Sequence, residues 1–326
     1  MKFALSLGLL WVTWLTAAGQ STAGAPRPTP VNSGYVGLDD WARANRFQLS
    51  WLNRNQELKA VRGGTVLLFP NDSRKFSFNG INLWLSAPIV AHNGMLHIAA
   101  IDLPTALQPL LTPPKNPGGR KIRTICLDPG HGGKDTGCLP GRQQEKKLTL
   151  LLAQDVRQLL LKAGFRVVLT RNNDTFIDLP LRPEIGRRAG ADLFVSLHFN
   201  AALGQDGASV KGAEVYGMTP ARTSSTNARG EGATPMVYPG NRSDARNWLL
   251  GYCVHQALVR QLGTEDRGVR RARFAVLRAA EVPAILVEGG FLTHPTEGRK
   301  IFTAAYRRQL AQAIVSGLIT YKKLVE

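Results

Sequence analysis

Between residues 145 and 163 apolar side chains return every three or four positions. Leu148, Leu152, Val156, Leu159 and Ala163 fall on one face, while Asp155, Arg157 and Lys162 bring charge to the others. That spacing predicts an amphipathic helix, and Gly164 marks its end. The same periodicity predicts helices over 247–262 and about 299–321. Short apolar runs at 122–127, 166–170, 192–197, 212–216 and 284–287 read as strands set among these helices. Strands alternating with amphipathic helices predict an α/β fold whose mostly parallel sheet is flanked by helices.

Upstream of residue 112 the period changes. Alternating segments at 47–52, 57–61, 65–69, 75–78 and 81–85 predict strands, and Asn79-Gly80 is a strong hairpin signal. Tyr35-Val36-Gly37-Leu38-Asp39-Asp40 leads into a short helical pattern and is loosely echoed at 96–102. Residues 34–111 therefore read as a small, mostly-β N-terminal domain preceding the α/β part. It resembles the copper amine oxidase N-terminal-like domain, a module attached to exported wall proteins. That likeness implies a wall-associated, wall-binding role. His92 and His97 read as surface or strand-edge residues, without a ligand cluster around them. The Pro/Gly/basic stretch 112–121 reads as a linker, and 122–322 as the second domain. The polar, Gly-, Ser- and Thr-rich stretch 219–246 predicts a long loop or partly disordered flap.

The N-terminus adds a location. Met1-Lys2, an apolar run over 3–18 and small residues after it form a secretory signal, assigned to residues 1–23. No second apolar segment approaches that length, so no stable membrane span is expected after cleavage. The chain is expected to be exported, to the periplasm or the cell wall. Its 326 residues carry a formal charge of +18, which points to an anionic partner. Export disfavours nucleic acid and favours an acidic wall polymer. Three cysteines are too few, and odd in number, for a disulfide-built scaffold. Cys126 and Cys253 lie in apolar runs and are expected to be buried thiols.

In an open parallel sheet, ligands bind beyond the carboxyl ends of the strands. The run ending at Leu127 is followed by Asp128-Pro129-Gly130-His131. The run ending at Leu197 is followed by His198, and the one ending at Val287 by Glu288. Two histidines and a glutamate thus reach one rim. Glu145, which opens the first helix, lies one loop beyond His131. Two neutral imidazoles and a carboxylate form a known catalytic zinc set that leaves a position for water. A further carboxylate nearby can carry a proton from water to a leaving amine. The residues alone do not say which glutamate takes which part.

Seven blocks occur in order: "LDPGHGGKDTG", "QEKKLTLLLA", "GFRVVLTR", "DTFIDLPLRPEIGRRAGADLFVSLHFNA", "GAEVY", "RGVRRARFAVLR" and "VPAILVEGGFLTH". Over 122–321 the chain resembles the zinc-dependent N-acetylmuramoyl-L-alanine amidases of the amidase type 3 family. The resemblance implies an α/β domain with about six strands, most of them parallel. It implies that His131, Glu145 and His198 bind Zn²⁺ and that Glu288 is the catalytic base and acid. The implied reaction is hydrolysis of the amide between N-acetylmuramic acid and L-alanine in peptidoglycan. Cys138, His294 and Gly186-Arg187 depart from the residues usual in the family, but none is a key position. Glu231, in the polar loop, reads as a solvated residue, and His255 as a packing or surface residue on its helix.

Arg267, Arg270, Arg271, Arg273 and Arg278 precede the Glu288 strand. Alternation sends them to different faces, so at most one or two would meet stem-peptide carboxylates. Asp128 either orients a ligand from behind or stabilises its own turn. Two other functions compete with wall hydrolysis at the amide: a non-catalytic peptidoglycan-binding protein on the same fold, and a zinc peptidase acting within stem peptides.

Overall fold

The computed structural model describes residues 34–138, 144–202, 204–227 and 230–326. The signal assigned to residues 1–23 lies outside them. Among the described residues no helix is long and apolar enough to cross a membrane.

The N-terminal segment follows its period-2 pattern. Strands β1 (Tyr35–Gly37), β2 (Gln48–Asn53), β3 (Glu57–Arg62), β4 (Thr65–Pro70), β5 (Ser73–Phe78), β6 (Ile81–His92) and β7 (Met95–Ala99) surround helix α1 (Leu38–Ala44). Leu58 and Ala60, Leu67 and Phe69, Phe76 and Phe78, and Ile81 and Leu83 all turn inward. Asn79 and Gly80 join β5 to β6 with positive φ at both positions, as a tight hairpin demands. The two echoing segments are partners, since β1 pairs antiparallel with β7 through Val36↔Ile98. Each then leads into a helix: α1 after β1, and a π-helical turn (Leu103–Leu107) running into α2 (Gln108–Leu111) after β7.

The remaining strands are β8 (Thr124–Pro129), β9 (Arg166–Leu169), β10 (Leu193–Asn200), β11 (Ala213–Met218), β12 (Asp266–Ala272) and β13 (Ala284–Phe291). They lie in the order β12-β11-β13-β10-β8-β9. Every neighbouring pair is parallel except β11–β13. This is the mostly parallel six-stranded sheet expected. Its helices are α3 (Glu145–Lys162), α4 (Leu181–Arg188), α5 (Asp244–Leu262), α6 (Ala275–Ala279), α7 (Pro295–Ile301) and α8 (Ala304–Val325). Alternation along the strands feeds two apolar layers. Ile125, Leu127, Leu193 and Val195 join the layer that includes α3, α5 and α8. Cys126, Phe194 and Leu286 join the layer that includes α6.

Two details differ from the periodicity reading. Strand β12 is hidden in the sequence by its arginines, which are held by internal partners described below. The last helix is two, because Thr303 starts α8 by accepting a hydrogen bond from Tyr306 N–H. Cys126 and Cys253 are buried thiols, as expected.

The β-rich segment meets the α/β sheet edge to edge. Strand β6 runs parallel to β12 with Leu83 opposite Val269, and buried side chains of both segments form one apolar cluster. Residues 112–121 lie along the end of α8, where Asn116 N–H donates to Val325 O at 2.9 Å.

Candidate active site

Because β8, β10 and β13 are mutually parallel, their carboxyl ends open on the same side. His131 follows β8, His198 lies near the end of β10, and Glu288 is its register partner on β13. Glu145 is the first residue of α3. The structure therefore brings together all four residues singled out in the sequence.

Among the described residues, His131, Glu145 and His198 are the one group able to hold a metal ion, with ligand atoms within 4.8 Å of one another. Glu145 Oε1 lies 3.0 Å from His131 Nε2 and 3.1 Å from His198 Nδ1. Two ligands of one tetrahedral zinc, each about 2.0–2.1 Å from it, stand roughly 3.3 Å apart. The donor set and its spacing therefore fit such an ion. Asp135 Oδ2 holds His131 Nδ1 at 2.9 Å, which leaves Nε2 as the free donor atom. Glu145 is anchored by Phe199 N–H on Oε1 and Cys138 N–H on Oε2. Burial alone would raise its carboxyl, but the hydrogen bonds and charges of the two histidines carry it well below the usual carboxylate range.

The backbone is shaped to permit this. His131 sits at φ 63, a conformation costly for a side chain other than glycine. Gly130 is required by close approach, since a Cβ there would lie 2.2 Å from His198 Cε1. The strained turn is held from behind by two arginines. Arg171 donates to Pro129 O at 3.0 Å and Gly130 O at 2.8 Å. Arg182 donates to Pro129 O at 3.1 Å and His131 O at 2.9 Å. Asp128 accepts from Arg182 at 2.9 Å, Thr170 at 2.6 Å and Ser196 at 2.7 Å. Asp128 thus orients the His131 turn through Arg182.

Facing the histidines is a cavity of about 310 Å³ whose lining includes His131, His198, Glu288, Leu179, Phe274 and Leu286. Oε2 of Glu288 is buried and has no hydrogen-bond partner. Burial, and after it the negative charges of Glu145 and Glu214, push this carboxyl well above its ordinary range. A half-buried carboxyl with one oxygen unclaimed is suited to holding and passing a proton.

The other candidates lie elsewhere. Glu231 sits on the polar loop, 3.7 Å from Arg273 and half exposed. His255 is fully buried, its Nε2 2.7 Å from Asp266. His92 and His97 face each other across the β6–β7 hairpin. None of the five arginines lines the cavity. Arg271 is buried against Trp248 and Asp102, and Arg273 donates to Thr223 O and Gly232 O. Sequence reasoning missed Asp135, Arg171, Arg182 and the apolar wall. Only Asp135, four residues after His131 in the same glycine-rich turn, offered a local signal.

The profile of the amidase type 3 family, described as N-acetylmuramoyl-L-alanine amidase, matches residues 125–320. N-acetylmuramoyl-L-alanine amidase AmiC of Neisseria meningitidis is 37% identical over 257 residues, 70% of this chain and 60% of the relative. AmiA of Escherichia coli is 36% identical over 231 residues, 64% of this chain and 78% of the relative. The alignment thus spans less than two thirds of the meningococcal protein. Among solved structures, an N-acetylmuramoyl-L-alanine amidase from Clostridium difficile 630 matches with a TM-score of 0.52 at 33% identity, over 62% of this chain and 97% of its own. AmiC2 of Nostoc punctiforme matches with a TM-score of 0.51 at 31% identity, over 63% and 99%.

Proposed function

The chain belongs to the amidase type 3 family of N-acetylmuramoyl-L-alanine amidases, and on that premise we propose that it hydrolyses the amide joining N-acetylmuramic acid to L-alanine in peptidoglycan. The observation that carries this reading is the meeting of His131, Glu145 and His198 beside a cavity lined by His131, His198 and Glu288.

His131, Glu145 and His198 would hold zinc. When bound, zinc supplies Lewis acidity, polarising the amide carbonyl and lowering the pKa of water. Glu288 takes one proton from the attacking water as its oxygen bonds to the amide carbon. The carbon–nitrogen bond then breaks, and Glu288 delivers that proton to the departing L-alanine amine. Leu179, Phe274 and Leu286 give the cavity an apolar wall. Asp135, Arg171 and Arg182 hold the His131 turn rigid while this happens.

In this reading the protein is exported and works at the periplasmic or wall-associated face of peptidoglycan, with its positive charge favouring an acidic polymer. Residues 1–23 would be its export signal, 112–121 a connector, and 122–322 the hydrolytic domain. The 34–111 domain would add affinity for the wall. The test is mass spectrometry of fragments released from purified sacculi. Stem peptides with a free L-alanine amine, beside glycans with free lactyl carboxylates, are expected. Cuts within the stem peptide would replace this reading with a peptidase, and binding without release with a non-catalytic wall protein.

A further inference from the structure

A second polar cluster lies one strand from Glu288. Glu214 on β11 is the register partner of Glu288 and is 3% exposed. Its Oε1 accepts from Asn200 Nδ2 at 2.6 Å and Tyr216 Oη at 3.0 Å. Its Oε2 faces Arg270 Nε at 3.0 Å and Arg267 Nε at 3.4 Å. Asn200 ends β10 just past His198, where the register with β13 shifts. One buried carboxylate therefore ties the strand end carrying His198 to the arginines of β12.

The N-terminal segment helps to set those arginines in place, beside Thr226 O, which accepts from Arg270 Nη1 at 2.8 Å, and Phe291, whose ring lies 4.8 Å from the Arg267 guanidinium. The Arg270 guanidinium lies 4.2 Å over the ring of Trp84, on β6. Trp84 Nε1 donates to Arg267 O at 2.9 Å. Gly268, at φ 92, makes room for the indole, because a Cβ there would lie 2.9 Å from Trp84 Cδ1. Asn82, two residues earlier, is bound to Asp266 through both its backbone and its side chain. A guanidinium stacked on an indole and shielded from water keeps its fork fixed. Without that support Glu214 keeps Arg267, Asn200 and Tyr216 but loses its nearer cation, and the tie between β12 and the end of β10 loosens.

We propose that Trp84 is a positioning residue for the hydrolytic site. It fixes Arg270 against Glu214, and Glu214 in turn holds Asn200 at the β10 end that carries His198, beside its register partner Glu288. The 34–111 segment is thereby part of the catalytic unit and not only an appendage to it. The kinetic part of the test rests on the amidase reading; the spectroscopic part does not.

The full chain is assayed on sacculi with zinc content monitored. Trp84→Leu is expected to lower kcat about tenfold while KM stays within about twofold. Trp84→Phe, which keeps a ring beneath Arg270, recovers most of kcat. Asn82→Ala weakens the same junction without touching Arg270 and leaves kcat within about twofold. In a Glu214→Gln background, Trp84→Leu has no further effect. Equal losses in Asn82→Ala and Trp84→Leu, or full additivity of Trp84→Leu with Glu214→Gln, would overturn the proposal. Independently of activity, the Arg270 Nε–H resonance of ¹⁵N-labelled protein is expected to be ring-current shifted and slow to exchange, and to remain so in Trp84→Phe. An unshifted, fast-exchanging Arg270 in the wild-type protein overturns the proposal even where Trp84→Leu does not fold. Wild-type protein inert on sacculi would defeat the amidase reading and leave the resonance test standing.

Discussion

Arg182 lies against Asp128 with Nη1 2.9 Å from Oδ1, and each side chain is 1% exposed. The same guanidinium reaches His131 O, so the ion pair is the floor of the turn that presents His131. Arg182→Met would leave Asp128 buried without its cation and free the His131 carbonyl. Breaking one half of a buried pair typically costs about 3–5 kcal/mol. Chemical denaturation is expected to register a loss of that size, together with weaker zinc binding. A stability change under about 1 kcal/mol would mean that water or another group replaces the arginine without penalty.

Gly130→Ala is expected to separate folding from metal binding. The added methyl would sit 2.2 Å from His198 Cε1, and that ring must move. The sheet beneath needs no such adjustment, because Gly130 has an ordinary φ. Zinc affinity is expected to drop by roughly 10–100-fold, the range seen when ligand orientation is disturbed. Far-ultraviolet circular dichroism is expected to stay that of the wild type. Unchanged zinc affinity, measured by competition with a chelator, would show that His198 is not a ligand.

Asp244, at the start of α5, gives the protein a pH-dependent stability. Burial pushes its carboxyl up to about 6, against the Asn241 amide and the Arg271 charge. An unfolded aspartate titrates near about 3.9. The folded value is the higher one, so the stability it contributes is complete below about pH 4. That contribution is lost as pH rises through about 6. Asp244→Asn removes the dependence. Relative to wild type, the variant is expected to gain about 2 kcal/mol between pH 4 and pH 7. Parallel stability curves for the two proteins would contradict this.

How far the sequence led depended on whether a signal was local. Leu148, Leu152 and Val156 repeat along one helix face, so α3 could be read directly. His131, His198 and Glu288 each follow an apolar run, and the parallel order of those runs is enough to put them on one rim. Strand β12 escaped because its apolar residues are interrupted by Arg270 and Arg271. Their partners, Glu214, Trp84, Trp248 and Asp102, come from distant parts of the chain. Arg171 and Arg182 were invisible for the same reason. Each works by donating to carbonyls about forty or fifty positions away, a relation that carries no sequence periodicity.

The most direct test of the central claim compares Glu288→Gln with wild-type protein on purified sacculi, both carrying one zinc per chain. The substitution keeps the shape of the side chain and removes its capacity to carry a proton. If His131, Glu145 and His198 hold the metal while Glu288 moves the proton, kcat falls by about 10²–10⁴-fold at full zinc occupancy. A Glu288→Gln enzyme that keeps its zinc and releases stem peptides within tenfold of the wild-type rate would contradict the account.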